Sequence, residues 1–123
     1  MMDEKRNPQA KGMEAPEQEV GGESSDLSTV AVLAKCLADP NRLRILLALG
    51  AGRRPVSAIV EEVALSQPLV SHHLKELRRA LLVEVERSGP FVYYELADPR
   101  ILQILDTLRA VGRDRLAART ALH

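Results

Sequence analysis

The sequence predicts a mainly α-helical domain that carries one small β-hairpin. Apolar residues recur at helical spacing through most of residues 26–118, and the spacing changes to alternation only within residues 82–96. Aromatic residues make up 2% of the chain, so the core must consist of Leu, Val, Ile and Ala, which suits packed helices. A chain of 123 residues is long enough for one compact domain with a modest core.

Charge is distributed unevenly along a chain whose formal net charge is zero. Residues 1–25 hold six acids and three bases, whereas residues 26–123 hold eleven acids and fourteen bases. The first 24 residues are charged, contain two prolines and a Gly-Gly pair, and show no apolar period, so they are predicted to be disordered. The remaining domain, residues 25–120, is mildly basic, which is compatible with a nucleic-acid partner.

Cys36 is the only cysteine, which excludes an intramolecular disulfide and fits a reducing compartment. The chain has no apolar run of about 18 residues and no apolar signal core at its N-terminus. These features predict a cytoplasmic protein without a membrane partner.

The first helices are read from their caps and apolar residues. Residues 26–38 form a short helix that is apolar nearly all round, so it needs a second surface, such as a partner subunit. Asp39 and Pro40 then start a second helix that ends at Gly50. Its expected core residues are Leu43, Leu46 and Leu47. A basic loop, residues 51–55, precedes a third helix over residues 58–64 that Ser57 is expected to cap.

The fourth predicted helix, residues 67–80, has two different faces. Ser66 is its cap, and Pro68 lies in its first turn. One face is apolar: Val70, Leu74, Leu77 and Leu81. The other face carries hydrogen-bond donors: Gln67, Ser71, His72, Lys75, Arg78 and Arg79. A helix held to a core by one face, with donors on the other, suits the DNA major groove, and the short preceding helix and turn predict a helix-turn-helix.

A hairpin and a last helix complete the domain. Residues 82–87 and 91–96 alternate as strands do, and Ser88-Gly89-Pro90 between them is turn chemistry. The hairpin is the wing of a winged helix-turn-helix with about five helices and a two-stranded wing. The last helix, residues 99–118, has an apolar stripe that is too broad for so small a core, which again favours a dimer.

Three blocks of this sequence resemble the ArsR/SmtB family of winged-helix repressors. They are LADPNRLRILLAL (37–49), LSQPLVSHHLKELRRALLVE (65–84) and VYYEL (92–96), and with their order the resemblance covers about residues 27–111. It implies a homodimeric transcriptional repressor whose first and last helices form the dimer interface. It also implies binding to a palindromic, inverted-repeat operator in double-stranded DNA, with release when a signal is sensed.

The resemblance also implies which residues contact DNA. Gln67, Ser71, His72 and Lys75 match the groove-facing positions of the family's recognition helix, and Arg87 lies at the base of the wing. Further candidates for phosphate contacts are Arg53, Arg54, Arg78 and Arg79. The wing departs from many members because Pro90 follows the glycine where they carry a basic residue. Arg42 is either a phosphate contact or a structural ion-pair partner.

Neither of the family's usual metal sites is present. The helix before the recognition helix lacks the paired cysteines, and a soft-metal site needs two or three thiolates. The last helix lacks the Asp and His pair, since Asp98 is followed by Pro99-Arg100 and no histidine occurs before His123. We therefore expect no metal and no cofactor, and the effector stays unidentified.

Single residues and other function classes leave alternatives open. Cys36 is expected to be a small packing residue, with a thiol-based redox sensor as the alternative. His73 is expected to be a hydrogen-bonded packing residue. A winged-helix module that binds another protein is a second alternative to DNA binding. An enzyme is not expected, because the sequence shows no nucleophile–base set, phosphate-binding loop or metal cluster.

Overall fold

The structure, a computed structural model, describes the backbone of residues 15–122 and the side chains of residues 25–120. The elements in chain order are α1 (Ala15–Leu37), α2 (Pro40–Leu49), β1 (Arg54–Pro55), α3 (Val56–Val63), α4 (Gln67–Arg79), β2 (Val83–Ser88), β3 (Phe91–Leu96) and α5 (Arg100–Leu122). The predicted, mainly helical fold with five helices is confirmed. The chain divides into two compact units, with the boundary between Lys35 and Cys36. The second unit contains α2 to α5 and the sheet.

The backbone helix α1 begins at Ala15, upstream of the predicted start at residue 26. Pro16 lies in its first turn, where the N–H that proline lacks would have no helical partner. The disorder predicted for residues 1–24 falls in part on residues 1–14, which lie outside the described residues. The domain boundary at residue 25 stays a prediction.

Two of the three predicted N-cap residues, Asp39 and Ser66, cap their helices. The Asp39 carboxylate accepts hydrogen bonds from the backbone N–H groups of Asn41 and Arg42, at 2.8 and 3.2 Å. The Ser66 hydroxyl accepts from the Leu69 N–H at 3.3 Å. The predicted cap at Ser57 is wrong, because α3 already begins at Val56 and has no side-chain cap.

Gly50 ends α2 in the right-handed region, with φ of −64°. The backbone therefore does not require glycine here. A Cβ would lie 2.8 Å from Leu102 Cδ1 and 3.1 Å from the Leu47 carbonyl oxygen, so a larger residue would require the Leu102 side chain to move.

The sheet has three antiparallel strands in the order β1-β3-β2. In the wing, the hairpin of β2 and β3, Ser88 pairs with Phe91, so the turn has two residues. Gly89 has φ of +61°, and Pro90 cannot adopt a positive φ, so the turn is of type II′. The third strand was missed, and the end of the predicted loop 51–55 was wrong. A strand of two residues shows no alternation, and only its pairing with β3 reveals it.

The core lies between α2, α3, α4 and β2. Its fully buried side chains are Ile45, Leu46, Leu49, Ile59, Val70, Leu74, Leu77 and Val83. The prediction that Leu43 and Leu47 face this core was wrong, because Ile45 and Leu49 take that side of α2. Leu43 and Leu47 are instead half-buried and line an apolar groove of about 250 Å³ with Leu37, Leu105, Leu108 and Arg109.

A Schellman motif ends α4. The N–H of Leu82 donates to the Leu77 carbonyl and the N–H of Leu81 to the Arg78 carbonyl, both at 3.0 Å. Leu81 takes the left-handed position of this motif, with φ of +63°, where glycine is usual. Its side chain is 80% exposed, so the prediction that Leu81 belongs to the apolar face was wrong.

A hydrogen-bonded cluster anchors α4 at its middle. His73 is 5% exposed, and its Nδ1 accepts a hydrogen bond from Arg42 Nε at 3.2 Å, which confirms its predicted packing role. Arg42 also donates to the Cys36 carbonyl oxygen at 3.4 Å and contacts Cys36 Sγ at 3.8 Å. The Cys36 thiol in turn lies 4.0 Å from the Glu76 carbonyl oxygen. The cluster joins the ends of α1 and α2 to α4.

The strain at Leu81 predicts that Leu81→Gly stabilises the domain. The left-handed conformation costs a non-glycine residue about 1 kcal/mol, and the exposed leucine side chain loses little burial when removed. The Tm should rise by a few degrees in thermal unfolding followed by circular dichroism. Leu81→Ala, which keeps a Cβ at this position, should show no comparable rise, and an equal rise in both variants would contradict the explanation.

Burial of His73 predicts a pH-dependent stability. Burial lowers its pKa, while Asp39 raises it in part and Arg42 and His72 lower it further. The unfolded chain then binds the proton more tightly than the folded chain, so the free energy of unfolding should fall as pH drops below about 6.5. Urea unfolding between pH 7.5 and 5 measures the fall.

His73→Asn provides the test of that assignment. Its Oδ1 lies where Nδ1 lay and can still accept from Arg42, but it does not titrate. We expect the fall in stability over this pH interval to shrink in His73→Asn and to persist in His72→Asn, whose imidazole is exposed. The same fall in wild type and His73→Asn would contradict the assignment.

Candidate nucleic-acid interface

The exposed side of α4 brings together four of the five predicted contact residues. Gln67, Ser71, His72 and Lys75 are all exposed. The opposite side of the same helix is buried through Val70, His73, Leu74 and Leu77. The helix has 13 residues and is therefore about 20 Å long, enough to lie along a groove.

The four side chains differ in their place around the helix. Gln67, Ser71 and Lys75 recur every fourth residue, which puts them in one stripe along the helix. His72 lies about 100° further round, and its ring centroid is 5.4 Å from that of His73. The amide, hydroxyl and ammonium groups of the stripe can all donate to acceptors on base edges. Their part in DNA binding stays a prediction.

The basic last turn of α4 contains one paired and one unpaired arginine. Arg79 Nη1 lies 2.9 Å from Glu76 Oε2. Arg78 is exposed and has no carboxylate partner among the side chains that the structure describes. Arg78 is therefore available to an external anion, whereas the charge of Arg79 is partly balanced by Glu76.

The two arginines before α3 are also engaged. Arg53 forms an ion pair and hydrogen bond with Glu86 of the wing, and its guanidinium lies 4.7 Å from the centroid of the Tyr93 ring. The hydrogen bond to Glu86 raises the pKa of Arg53. Arg54 pairs with Glu62 of α3. Both arginines, expected as phosphate contacts, are held by glutamates in this structure.

Arg87 lies near the tip of the wing and not at its base. It pairs with Val92, one position from the Ser88 and Phe91 pair that closes the turn. Its side chain is exposed and, within residues 25–120, no carboxylate pairs with it. Arg87 is thus the free cation of the wing.

Sequence reasoning missed the partners that hold these cations. Arg42 has no ion-pair partner among the described side chains and instead donates to His73 and to the Cys36 backbone. The two bonded side chains are 31 positions apart, and Arg53 and Glu86 are 33 apart. No pattern within a few residues indicates either contact.

Cys36 is half-buried within the cluster that anchors α4. No group of three or more His, Cys, Asp or Glu side chains in the described part of the chain could hold a metal ion. None of the helices, as far as they are described, has the length and apolar character to span a membrane.

Comparison with known proteins gives related repressors. A family model described as a helix-turn-helix domain matches residues 37–86. The HTH-type transcriptional repressor SmtB of Mycobacterium tuberculosis is 41% identical over 91 residues, which are 73% of this chain and 67% of the relative. The HTH-type transcriptional regulator NmtR of the same species is 38% identical over 84 residues, 68% of this chain and 70% of the relative.

A solved structure shares the fold. The homodimeric winged helix-turn-helix DNA-binding domain of Mb0332 from Mycobacterium bovis, a possible ArsR-family regulator, superposes with a TM-score of 0.69 at 31% identity. The match covers 76% of this chain and 87% of that domain. The chain belongs to the ArsR/SmtB family of winged helix-turn-helix transcriptional repressors.

Proposed function

We propose that this chain acts as a homodimer that binds an inverted-repeat operator through the exposed side of α4 and through the wing. One observation carries the proposal: α4 is fully buried on one side and presents Gln67, Ser71 and Lys75 in a stripe on the other. A rigidly held helix with donors along its outer side has the shape and chemistry that the major groove accepts.

The stripe divides into base-reading and positioning groups. Gln67 suits adenine, which offers one donor and one acceptor, and Lys75 suits the two acceptors of guanine. Ser71 and His72 can reach either bases or phosphates. The unpaired Arg78 and Arg87 then neutralise phosphates, which positions the dimer without reading sequence.

A palindromic operator follows from two-fold symmetry. Exposed apolar side chains of α5 favour a subunit interface there: Ile104, Leu108, Val111 and Leu116. Leu27, Val30 and Val32 of α1 are exposed as well. The similar domain from M. bovis is homodimeric. Two α4 helices about 34 Å apart, one turn of DNA, would read two inverted half-sites.

We further propose that the effector of this repressor is not a soft metal ion bound by thiolates. Relatives include a probable mercury resistance operon repressor of Streptomyces lividans and an arsenic resistance regulator of Pseudomonas putida. This chain has a single cysteine, Cys36, whereas such ions favour two or three thiolates. The alternative is a redox signal, which the thiol of Cys36 would sense.

Selection of binding sites from random-sequence DNA, followed by fluorescence anisotropy with the purified dimer, tests the function. We expect a palindromic site, bound far more tightly than its scrambled version. If the dimer neutralises about 6–10 phosphates, affinity should fall by about 10³–10⁵ between 50 and 200 mM salt. Selection of no site by a folded dimer would contradict the proposal and favour a protein partner.

Lys75→Ala should weaken binding to the selected operator by roughly 10- to 100-fold, because it removes a donor to base edges on both half-sites. Binding to scrambled DNA should weaken much less. Arg113→Ala, which removes the same charge from the exposed far part of α5, is the matched control and should keep operator affinity. Equal losses in the two variants would show that Lys75 contributes only net charge.

Glu86→Gln should strengthen DNA binding because it releases Arg53 from its ion pair. The slope of log affinity against log salt should steepen by about 1 for each protomer, as expected for one more phosphate contact. Glu84→Gln changes the net charge equally on the same face of the wing, but Glu84 has no arginine partner in the described part of the chain. Steepening in both variants would point to net charge alone.

A further inference from the structure

The wing tip exposes an aromatic ring that the proposed function leaves unused. Phe91 is 59% exposed and follows directly on the two-residue turn, Gly89-Pro90. Its cross-strand partner, Ser88, is too small to cover the ring. In the described part of the chain, the other large exposed apolar side chains belong to α1, α5 or Leu81. Phe91 is therefore the one such side chain that the wing presents there.

Neighbouring side chains support the Phe91 ring on the side away from the tip. Phe91 and Tyr93 lie on the same face of β3, with ring centroids 6.3 Å apart. Tyr93 is covered by the Arg53 guanidinium, which Glu86 holds in turn. Tyr93 and Arg53 thus lie on the strand side of the Phe91 ring, and the side of the ring that faces the tip is open to solvent.

The charge at the tip favours DNA as the surface that covers the ring. Arg87 lies beside the tip on the opposite face of β2 and is exposed without a described carboxylate partner. The tip thus carries an apolar ring on one face and a free guanidinium on the other, the two kinds of group that minor-groove proteins use. Arginine is drawn to the negative potential of a narrow groove, and an apolar side chain wedges against base steps.

The length of the wing is compatible with this contact. β2 follows α4 after a short connection and packs against it. Its six residues extend about 20 Å from the end of α4 to the tip. Half a turn of DNA, about 17 Å, separates a major groove from the adjacent minor groove. A wing leaving a helix in the major groove can therefore reach the minor groove beside the half-site.

We propose that Phe91 packs into the minor groove next to each half-site and makes the protein prefer A·T-rich, deformable flanks. This inference rests on the proposed DNA-binding function. The ring makes no hydrogen bond, so it discriminates by groove width, by the exocyclic amino group of guanine and by the ease of unstacking. The preference is thus separate from the sequence read by α4.

The experiment uses the full-length dimer and the selected operator, with flanks about five base pairs from each half-site set to A·T, G·C or inosine·C. Inosine removes the minor-groove amino group but keeps the major-groove acceptors of guanine. Wild type should bind the A·T and inosine·C duplexes about tenfold more tightly than the G·C duplex. Phe91→Ala should lose about tenfold on the first two and little on the third.

Two further variants separate the ring from folding and charge. Phe91→Leu should keep part of the flank preference, and Leu81→Ala, which removes a comparably exposed apolar side chain outside the wing, should keep all of it. Phe91→Ala should also keep the wild-type salt slope, since the ring neutralises no phosphate. Loss of affinity by equal factors on all three duplexes would show a structural role and overturn the inference.

The failure of this inference differs from the failure of the proposed function. An operator bound tightly by wild type and weakened by Lys75→Ala, but with the same flank preference in Phe91→Ala, would overturn only the role of Phe91. If wild type selects no site at all, the proposed function and this inference both fall.

Discussion

Burial of one side of α4 is the constraint on which the interface depends. Val70, Leu74 and Leu77 are fully buried, and each contributes about 1.5–3 kcal/mol relative to an exposed side chain. Rotation of the helix by one residue, about 100°, would expose these side chains and push polar groups into the core. The hydrogen bond from Arg42 to His73 adds a directional contact at the same level. The donor stripe is therefore held outward by the packing behind it.

The wing is joined to the helix-turn-helix at two places. β2 follows the end of α4, and β1, which pairs with β3, runs directly into α3. Pro55 ends β1 and takes the cap position of α3, so the sheet and the first helix of the helix-turn-helix share a residue. The type II′ turn keeps the tip short. The wing is thus attached to both helices of the motif.

Ion pairs engage some of the cations around α4 and the wing. Arg53, Arg54 and Arg79 are held by glutamates, while Lys75, Arg78 and Arg87 are exposed without described partners. In the proposed dimer, these three cations from each protomer give six, in line with about 6–10 phosphate contacts.

By itself, the sequence determined the five helices, the hairpin, the caps at Asp39 and Ser66 and the donor stripe of α4, because each depends on residues within a few positions. Tertiary structure alone decided which side of α2 faces the core, the short strand β1, and the partners of the arginines. Those features either join residues more than 30 positions apart or involve too few residues to show a pattern. Local periodicity shows which face is apolar, but only packing determines which distant group lies against it.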